Sequence, residues 1–250
     1  MELDFLVLVI LVGVGLLAGF VDAAAGGGAL IGVPALLSFG FPPVAALATN
    51  KLQAAIGTGI AAATYWRRGF VSLRGLLPGI AATYLGGLLG AFVVKRADTS
   101  FLSTAVPVAL IAIAGYFLFA PRLTDEDRHA RLSSTIFLPL VGFAIGFYDG
   151  IFGPGTGSFF TMAFVLLFGL GVTRAAAHTK VLNEVSNLAA LTLFIPGGDV
   201  VWPAAIAMGF GQVAGGYLGA LTGIRFGARL IRPLVVIVCV ALAARLLLFS

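Results

Sequence analysis

Residues 19–34 of the chain read GFVDAAAGGGALIGVP, and a related stretch, GFYDGIFGPGTGSF, occupies residues 146–159. Each stretch places an aspartate and a run of glycines inside a chain that is 60% hydrophobic and only 10% charged. Glycine-interrupted apolar segments in corresponding positions of two halves are typical of broken membrane helices. The two stretches therefore predict an all-α membrane protein built by internal duplication.

The duplication extends well beyond these stretches. Residues between 15 and 28 recur 127 positions later, and residues between 40 and 96 recur 129 positions later. Asp22 thus matches Asp149, and Lys51 matches Lys180, which matters because charged residues are scarce in this chain. The predicted division is a first transmembrane repeat at 1–120, a polar cytoplasmic linker at 121–132 and a second transmembrane repeat at 133–250.

Each repeat is predicted to contain about five hydrophobic segments. They are expected at 4–20, 28–39, 44–66, 73–94 and 101–120, and again at 133–148, 157–169, 173–195, 203–224 and 231–249. A helix needs about 20 residues to cross a bilayer, so the second segment of each half is too short to cross as a regular helix. Two interpretations stay open: one arm of a re-entrant hairpin, or part of a tilted, broken helix.

The charges of equivalent loops predict that the two repeats have inverted topology. The connection from Arg67 to Arg74 is basic, whereas its counterpart at 196–203 has no basic residue and carries Asp199. Short cytoplasmic loops collect Lys and Arg, so the two loops should face opposite sides of a cytoplasmic (inner) membrane that the chain crosses many times. If the first two segments of each half formed one broken span, the repeats would instead be parallel.

Composition also limits the partners. A single cysteine, Cys239, excludes an intramolecular disulfide, and with two histidines the chain offers no set of thiolate or imidazole zinc ligands, so no cofactor or metal is expected. The net charge of +5 resides largely in short connections, which indicates membrane topology rather than nucleic-acid binding. The expected partners are a small anionic substrate, the lipid bilayer and a second copy of the chain in a homodimer.

The paired lysines predict an anion site. An ammonium group within a bilayer costs several kcal/mol unless it faces a cavity, a counter-charge or a ligand. The alternative is a lysine near a helix end that extends to the headgroups. The glycine clusters lie before the short helices, whose N-terminal amides could also bind an anion. The alternative is that these glycines let helices pack closely. The predicted substrate-binding residues are Gly26, Gly27, Gly28, Asn50, Lys51, Gln53, Gly153, Gly155, Thr156, Gly157, Thr179, Lys180 and Asn183.

Three carboxylates are candidates for ion pairing or proton coupling. Asp22 and Asp149 precede the glycine clusters, where they could pair with the lysines, cap the short helices or carry protons. Glu184 has no acidic equivalent, because Ala55 stands at the matching position.

Five segments of the chain resemble the sulfite exporter TauE/SafE family, also called the 4-toluene sulfonate uptake permeases, and within it the YfcA-like inner-membrane proteins. They are 19–34, 46–53 (ALATNKLQ), 146–159, 177–187 (AHTKVLNEVSN) and 230–238 (LIRPLVVIV). The resemblance implies a secondary transporter of sulfur oxyanions or organosulfonates, with the glycine segments near the substrate path. The second half departs from the triple glycine by using Gly153, Pro154 and Gly155.

The sequence thus predicts a secondary transporter that moves a small, sulfite-like anion by alternating access between two repeats, and not an enzyme. One alternative is an anion channel. A more distant one is an intramembrane aspartyl protease, which would need Asp149 and Asp199 to share a proton.

Overall fold

The computed structural model describes residues 4–96 and 125–248, together with residues 111, 115, 118 and 119. In these ranges the chain is helical and contains no strand, which confirms the all-α prediction there. The helices are α1 (Phe5–Ala25), α2 (Ala29–Ser38), α3 (Pro43–Arg67), α4 (Leu73–Val94), α5 (Ser134–Ile151), α6 (Thr156–Leu166), α7 (Val172–Phe194), α8 (Trp202–Phe226) and α9 (Ala228–Leu248). Apart from four positions, the predicted segment at 101–120 lies outside the described residues, as do linker residues 121–124. Five segments per repeat therefore stay a prediction.

Four helices, α1, α4, α5 and α8, are long and apolar enough to cross a membrane by length and composition. Their outer surfaces are strongly apolar: Leu140 on α5 is 61% exposed, and Phe210 on α8 is 70% exposed. Helices α3 and α7 are of similar length but carry buried polar side chains and lie in the centre of the molecule. The fold therefore buries the polar residues of α3 and α7 against apolar helices.

Each short helix returns to the side on which the preceding helix began. Leu36 of α2 packs with Leu11 of α1 in one buried cluster. In the second half, Phe168 after α6 stacks on Phe137 near the start of α5, with ring centroids 4.9 Å apart. Thus α1 with α2, and α5 with α6, form helical hairpins. Of the two interpretations open for the short segments, this geometry matches the hairpin.

The halves interlock through small residues. Helix α1 packs along α8, with Gly15 against the backbone of Met208, and α5 packs along α4, with Gly86 against the backbone of Phe143. Glycines at these contacts let the helix backbones approach closely. The first helix of each half therefore lies against the fourth helix of the other half.

Helices α3 and α7, which occupy equivalent places in the duplication, pack against each other in antiparallel orientation. The Thr49 hydroxyl, near the start of α3, accepts a hydrogen bond of 3.0 Å from the Val201 amide beyond the end of α7. Farther along α3, Thr58 donates to Glu184 near the middle of α7. This central pair of helices carries Lys51 and Lys180, the two lysines at equivalent positions of the duplication.

The described part of the linker is bound to the ends of two helices. Asp125 accepts hydrogen bonds from the Thr173 amide (3.1 Å), the Thr173 hydroxyl (2.6 Å) and the Ala228 amide (3.1 Å). Asp127 accepts from the Gly171 amide (2.8 Å) and pairs with Arg174. Amides at helix N-termini lack partners inside the helix, so Asp125 caps both α7 and α9.

Replacing Asp125 with alanine should destabilise the protein by about 2 kcal/mol, because a cap contributes about 0.5–2 kcal/mol and two helices share this one. Thermal unfolding of the detergent-solubilised protein would measure the change. Asp4→Ala is the matched control, since Asp4 stands at the start of α1 but makes no side-chain capping bond. Equal melting temperatures for the two variants would contradict the proposed capping role.

A candidate substrate site at the hairpin tips

Two buried ion pairs cross between the halves. The Nζ atom of Lys51 lies 2.6 Å from Oδ2 of Asp149, and that of Lys180 lies 3.2 Å from Oδ2 of Asp22. Lys180 also donates to the main-chain oxygen of Asp22. Both lysine residues are at most 1% exposed, so they do not extend to headgroups at the membrane surface. Each lysine of one half binds the aspartate of the other.

Further hydrogen bonds hold the two carboxylates. Asp149 accepts from the Ser186 hydroxyl at 2.5 Å and from the Thr156 hydroxyl at 2.7 Å. Asp22 accepts from the Gly28 amide at 3.3 Å, just before α2. Buried ions are tolerated when paired and hydrogen-bonded in this way. Asp22 therefore combines two of the roles left open by the sequence, as an ion-pair partner and as a cap.

The four charges of the two pairs sum to zero. The sequence predicted lysines that attract an anion directly, but each ammonium already has a carboxylate counter-charge in this structure. An anion that binds Lys51 must therefore compete with Asp149. The site is a neutral network of charges rather than a bare cationic pocket.

The glycine-rich tips of the hairpins meet between the two pairs. Gly26 has a φ of +81°, and a Cβ atom on Gly157 would overlap the Cα of Gly26. Gly153 and Gly155 also have positive φ values, of 90° and 87°, which L side chains rarely adopt. Glycine is thus required here both for the turns and for close approach of the two backbones.

A cavity of about 20 Å³, roughly the size of one water molecule, lies beside the tips. Seven of the predicted substrate-binding residues line it: Gly26, Asn50, Lys51, Gly153, Thr156, Gly157 and Asn183. Asp22 and Asp149 also line it, together with three residues that the sequence reasoning missed: Ala29, Ala54 and Asn187.

The other predicted substrate-binding residues lie behind this lining. Lys180 contacts Asp22, and Thr179 shares a hydrogen bond of 3.2 Å with Thr161. A Cβ atom on Gly28 would meet Asp22, one on Gly27 would meet Val238, and Gly155 precedes α6 as its N-cap. In this structure these residues support the cavity rather than face it.

A chain of carboxamides orients Asn50. Gln53 donates to Oδ1 of Asn50 at 2.7 Å, and Gln53 accepts in turn from Gln212 on α8. This bond holds the Asn50 side chain in place where it lines the cavity. Gln212 was not among the residues predicted from the sequence. All three asparagines of the protein line the cavity, and both of its glutamines belong to this series of hydrogen bonds.

The geometry does not form the carboxylate pair of an aspartyl protease. Asp149 is bound to Lys51, while Asp199 is bound to Lys95 at 2.6 Å on the surface. Two carboxylates that share a proton must be in contact, and these two belong to different ion pairs.

Comparison with known proteins identifies the family of the chain. The sequence pattern of the sulfite exporter TauE/SafE family matches residues 11–246. The chain belongs to this family. The resemblance found in its motifs is thereby confirmed.

Relatives within the family are named as transporters. The chain is 45% identical to the probable membrane transporter protein ORF9 of Sinorhizobium sp., over 98% of this chain and 94% of the relative. It is 44% identical to a probable membrane transporter protein of Haemophilus influenzae, covering 98% and 96% of the two chains. It is 43% identical to the probable membrane transporter protein YfcA of Escherichia coli K12, covering 97% and 90%. No solved structure matches the chain significantly.

Family membership and the apolar helices agree on the general class. This TauE/SafE protein is a multi-pass membrane protein of a transporter family, and its relatives are named as transporters rather than enzymes.

Proposed function

We propose that this TauE/SafE protein is a secondary transporter that carries a small anion, a sulfur oxyanion or an organosulfonate, across the cytoplasmic membrane. The observation that carries the proposal is the small cavity at the hairpin tips, with polar and charged residues in its lining and reciprocal Lys–Asp pairs between the halves beside it. Sulfur oxyanions come from the family name, and the donors around the cavity suit such ligands.

Binding would proceed by exchange of carboxylates for substrate. The anion would take the place of Asp149 at Lys51, where a charge-assisted hydrogen bond is stronger than a neutral one. The displaced carboxylate keeps its bonds from Ser186 and Thr156. When the substrate leaves, Asp149 returns to Lys51, so neither charge is left unpaired in the protein interior.

Amide groups would complete the coordination. Asn50, Asn183 and Asn187 line the same cavity as Lys51. Gln53 holds the Asn50 side chain by donating to its oxygen, and the Asn50 amide nitrogen would then donate to the anion. Sulfur oxyanions and sulfonates have several acceptor oxygens, and a set of amide donors around one ammonium group matches them.

The inverted repeats of the prediction are part of this proposal, and one surface contact supports them. Lys95, after α4, pairs with Asp199, after α7. Inverted repeats place these two connections on the same side of the membrane, whereas parallel repeats would place them on opposite sides. The antiparallel packing of α3 on α7 agrees with the same symmetry.

The size of the cavity supports alternating access. Room for one water molecule is insufficient for an oxyanion, so the tips must separate for substrate to enter. Rocking of one half against the other, about the central α3 and α7, would open the site to each side in turn.

Counterflow in proteoliposomes tests the proposal. The reconstituted protein should exchange internal unlabelled sulfite or alkanesulfonate for the labelled anion outside. In the Lys51→Gln, Asp149→Asn double variant, which removes both charges and keeps side-chain size, exchange should fall about tenfold or more, equivalent to 1.4 kcal/mol of binding.

The same two substitutions at the surface pair, Lys95→Gln with Asp199→Asn, form the matched control and should leave exchange unchanged. Unaltered exchange in the buried-pair variant would refute the site. Rapid anion flux without counterflow would identify a channel instead.

A further inference from the structure

Glu184 lies one turn beyond Lys180 on α7 but does not line the cavity. Its carboxyl group bonds to the Thr58 hydroxyl on α3. The Asn187 amide, which lines the cavity, reaches the same hydroxyl at 3.5 Å. Glu184 is therefore linked to the cavity through a single threonine.

The Thr58 hydroxyl can serve both protonation states of this carboxyl group. Its oxygen lies 2.8 Å from the Ala54 carbonyl and also contacts Glu184. A hydroxyl has one hydrogen to donate and two lone pairs that accept. If Glu184 is ionised, Thr58 donates to it; if Glu184 is protonated, Thr58 donates to Ala54 and accepts from Glu184.

The other side of Glu184 borders a lateral cleft that follows one face of α7 past its end. The cleft is lined along α7 by Leu188, Leu191 and Thr192, and it reaches Pro196. That end of α7 is the end where Asp199 pairs with Lys95. The cleft is lined mainly by apolar side chains, and the Glu184 carboxyl group lies between the cavity and this end of α7.

Among the residues that the structure describes, Glu184 makes no ion pair, in contrast to Asp22 and Asp149. Helix α6 contributes no titratable side chain, and α9 meets α7 near Val172, at the far end from the cleft. Besides Glu184, the titratable groups that belong to the two ion pairs or line the cleft are Asp22 on α1, Lys51 on α3, Tyr84 on α4, Asp149 on α5 and Lys180 on α7 itself.

We propose that Glu184 binds the proton that travels with the anion, in the transport cycle proposed above, on which this inference rests. Protonating Asp22, or Asp149 before the anion has taken its place at Lys51, would leave a buried lysine without its counter-charge, whereas protonating Glu184 removes a charge and strands no lysine at any step of the cycle. An anion entering the neutral Lys–Asp network adds one negative charge. One proton on Glu184, taken from water on the entry side and released to water on the exit side, balances that charge.

The test uses methanesulfonate, which stays ionised throughout the working pH range, so any effect of pH arises from the protein. Proteoliposomes with the full chain are assayed for counterflow at equal pH and for accumulation when the outside is one pH unit more acidic. For one proton per anion, the wild-type protein should accumulate methanesulfonate about tenfold, the concentration ratio that matches 1.4 kcal/mol of driving force.

Glu184→Gln keeps the size and hydrogen-bonding capacity of the side chain but cannot titrate. It should retain counterflow within about twofold of the wild type and lose accumulation. The loss of accumulation alone would follow from the loss of a group that can bind and release a proton. Glu184→Asp, which restores a titratable group, should recover accumulation. Asp199→Asn, a surface carboxylate at the same end of α7, should behave as wild type in both assays.

Each remaining outcome decides against the idea. Accumulation by Glu184→Gln at the wild-type level overturns the coupling role and leaves the transporter proposal intact. Loss of counterflow in both Glu184→Gln and Glu184→Asp, with wild-type thermal stability, assigns Glu184 to substrate binding instead of coupling. A wild-type protein without counterflow removes the proposed function and this inference together.

Discussion

Replacing Lys51 with methionine is expected to lower the free energy of unfolding by about 3–5 kcal/mol, the cost of removing one partner from a buried ion pair. Methionine keeps most of the apolar stem, so packing changes little. Asp149 is only 2% exposed and would retain bonds from Ser186 and Thr156 alone. Denaturant titration of the detergent-solubilised protein would measure the loss.

Two comparisons make this result specific to the unpaired charge. Adding Asp149→Asn to Lys51→Met should recover most of the lost stability, since neither charge then remains. Lys95→Met at the surface pair should cost no more than about 1 kcal/mol, because exposed ion pairs contribute little. Similar losses for Lys51→Met and Lys95→Met would show that the buried pair has no special energetic role.

The residues of this network were predictable from sequence, whereas their pairing was only one of three roles that the sequence left open. Lys51 and Asp149 are recognisable because charged residues are scarce in an apolar chain and recur in both halves. Their contact depends on α1 and α5 crossing to the fourth helix of the other half. Helix periodicity carries no information on that crossing, so the sequence could assign the two lysines to one site without revealing that each is neutralised.

Helix positions followed from local signals, with one instructive difference. The first segment was predicted to end at residue 20, but α1 continues to Ala25. Alanine is the best helix former, so Ala23, Ala24 and Ala25 carry the helix onward to Gly26, whose positive φ ends it. The extension places Asp22 inside the last turn of α1, where it can face Lys180.

The carboxamides carried a signal that motif reasoning did not use. Asn187 and Gln212 lie outside the short polar runs around the lysines, so they looked unremarkable one by one. Taken together, every asparagine and glutamine of the chain either lines the cavity or is bonded towards it. In a membrane protein, where an amide side chain needs a partner, such residues are evidence of a common site. The contributions of Ala29 and Ala54 had no such signal, because small residues are frequent throughout the chain.

Gly157→Ala is expected to destabilise the protein by about 3 kcal/mol, the upper end of the usual range for overpacking, because the added methyl group would overlap backbone rather than a movable side chain. Gly26, the residue it meets, is itself held at a φ of +81° and cannot shift without opening the hairpin tip. Since the two tips line the cavity, counterflow should also fall about tenfold or more, a change worth 1.4 kcal/mol.

Gly13→Ala is the matched control for this change. Gly13 lies on the exposed side of α1, where no neighbouring group comes within 4 Å of the position that an added methyl group would take, and alanine favours a helix more than glycine does. This variant should be as stable as the wild type, or slightly more so, with unchanged counterflow. If Gly157→Ala had the same melting temperature and the same exchange rate as Gly13→Ala, the tips could move apart without loss of stability. The cavity could then not depend on their contact, and the hairpins would be a scaffold rather than the gate between the halves.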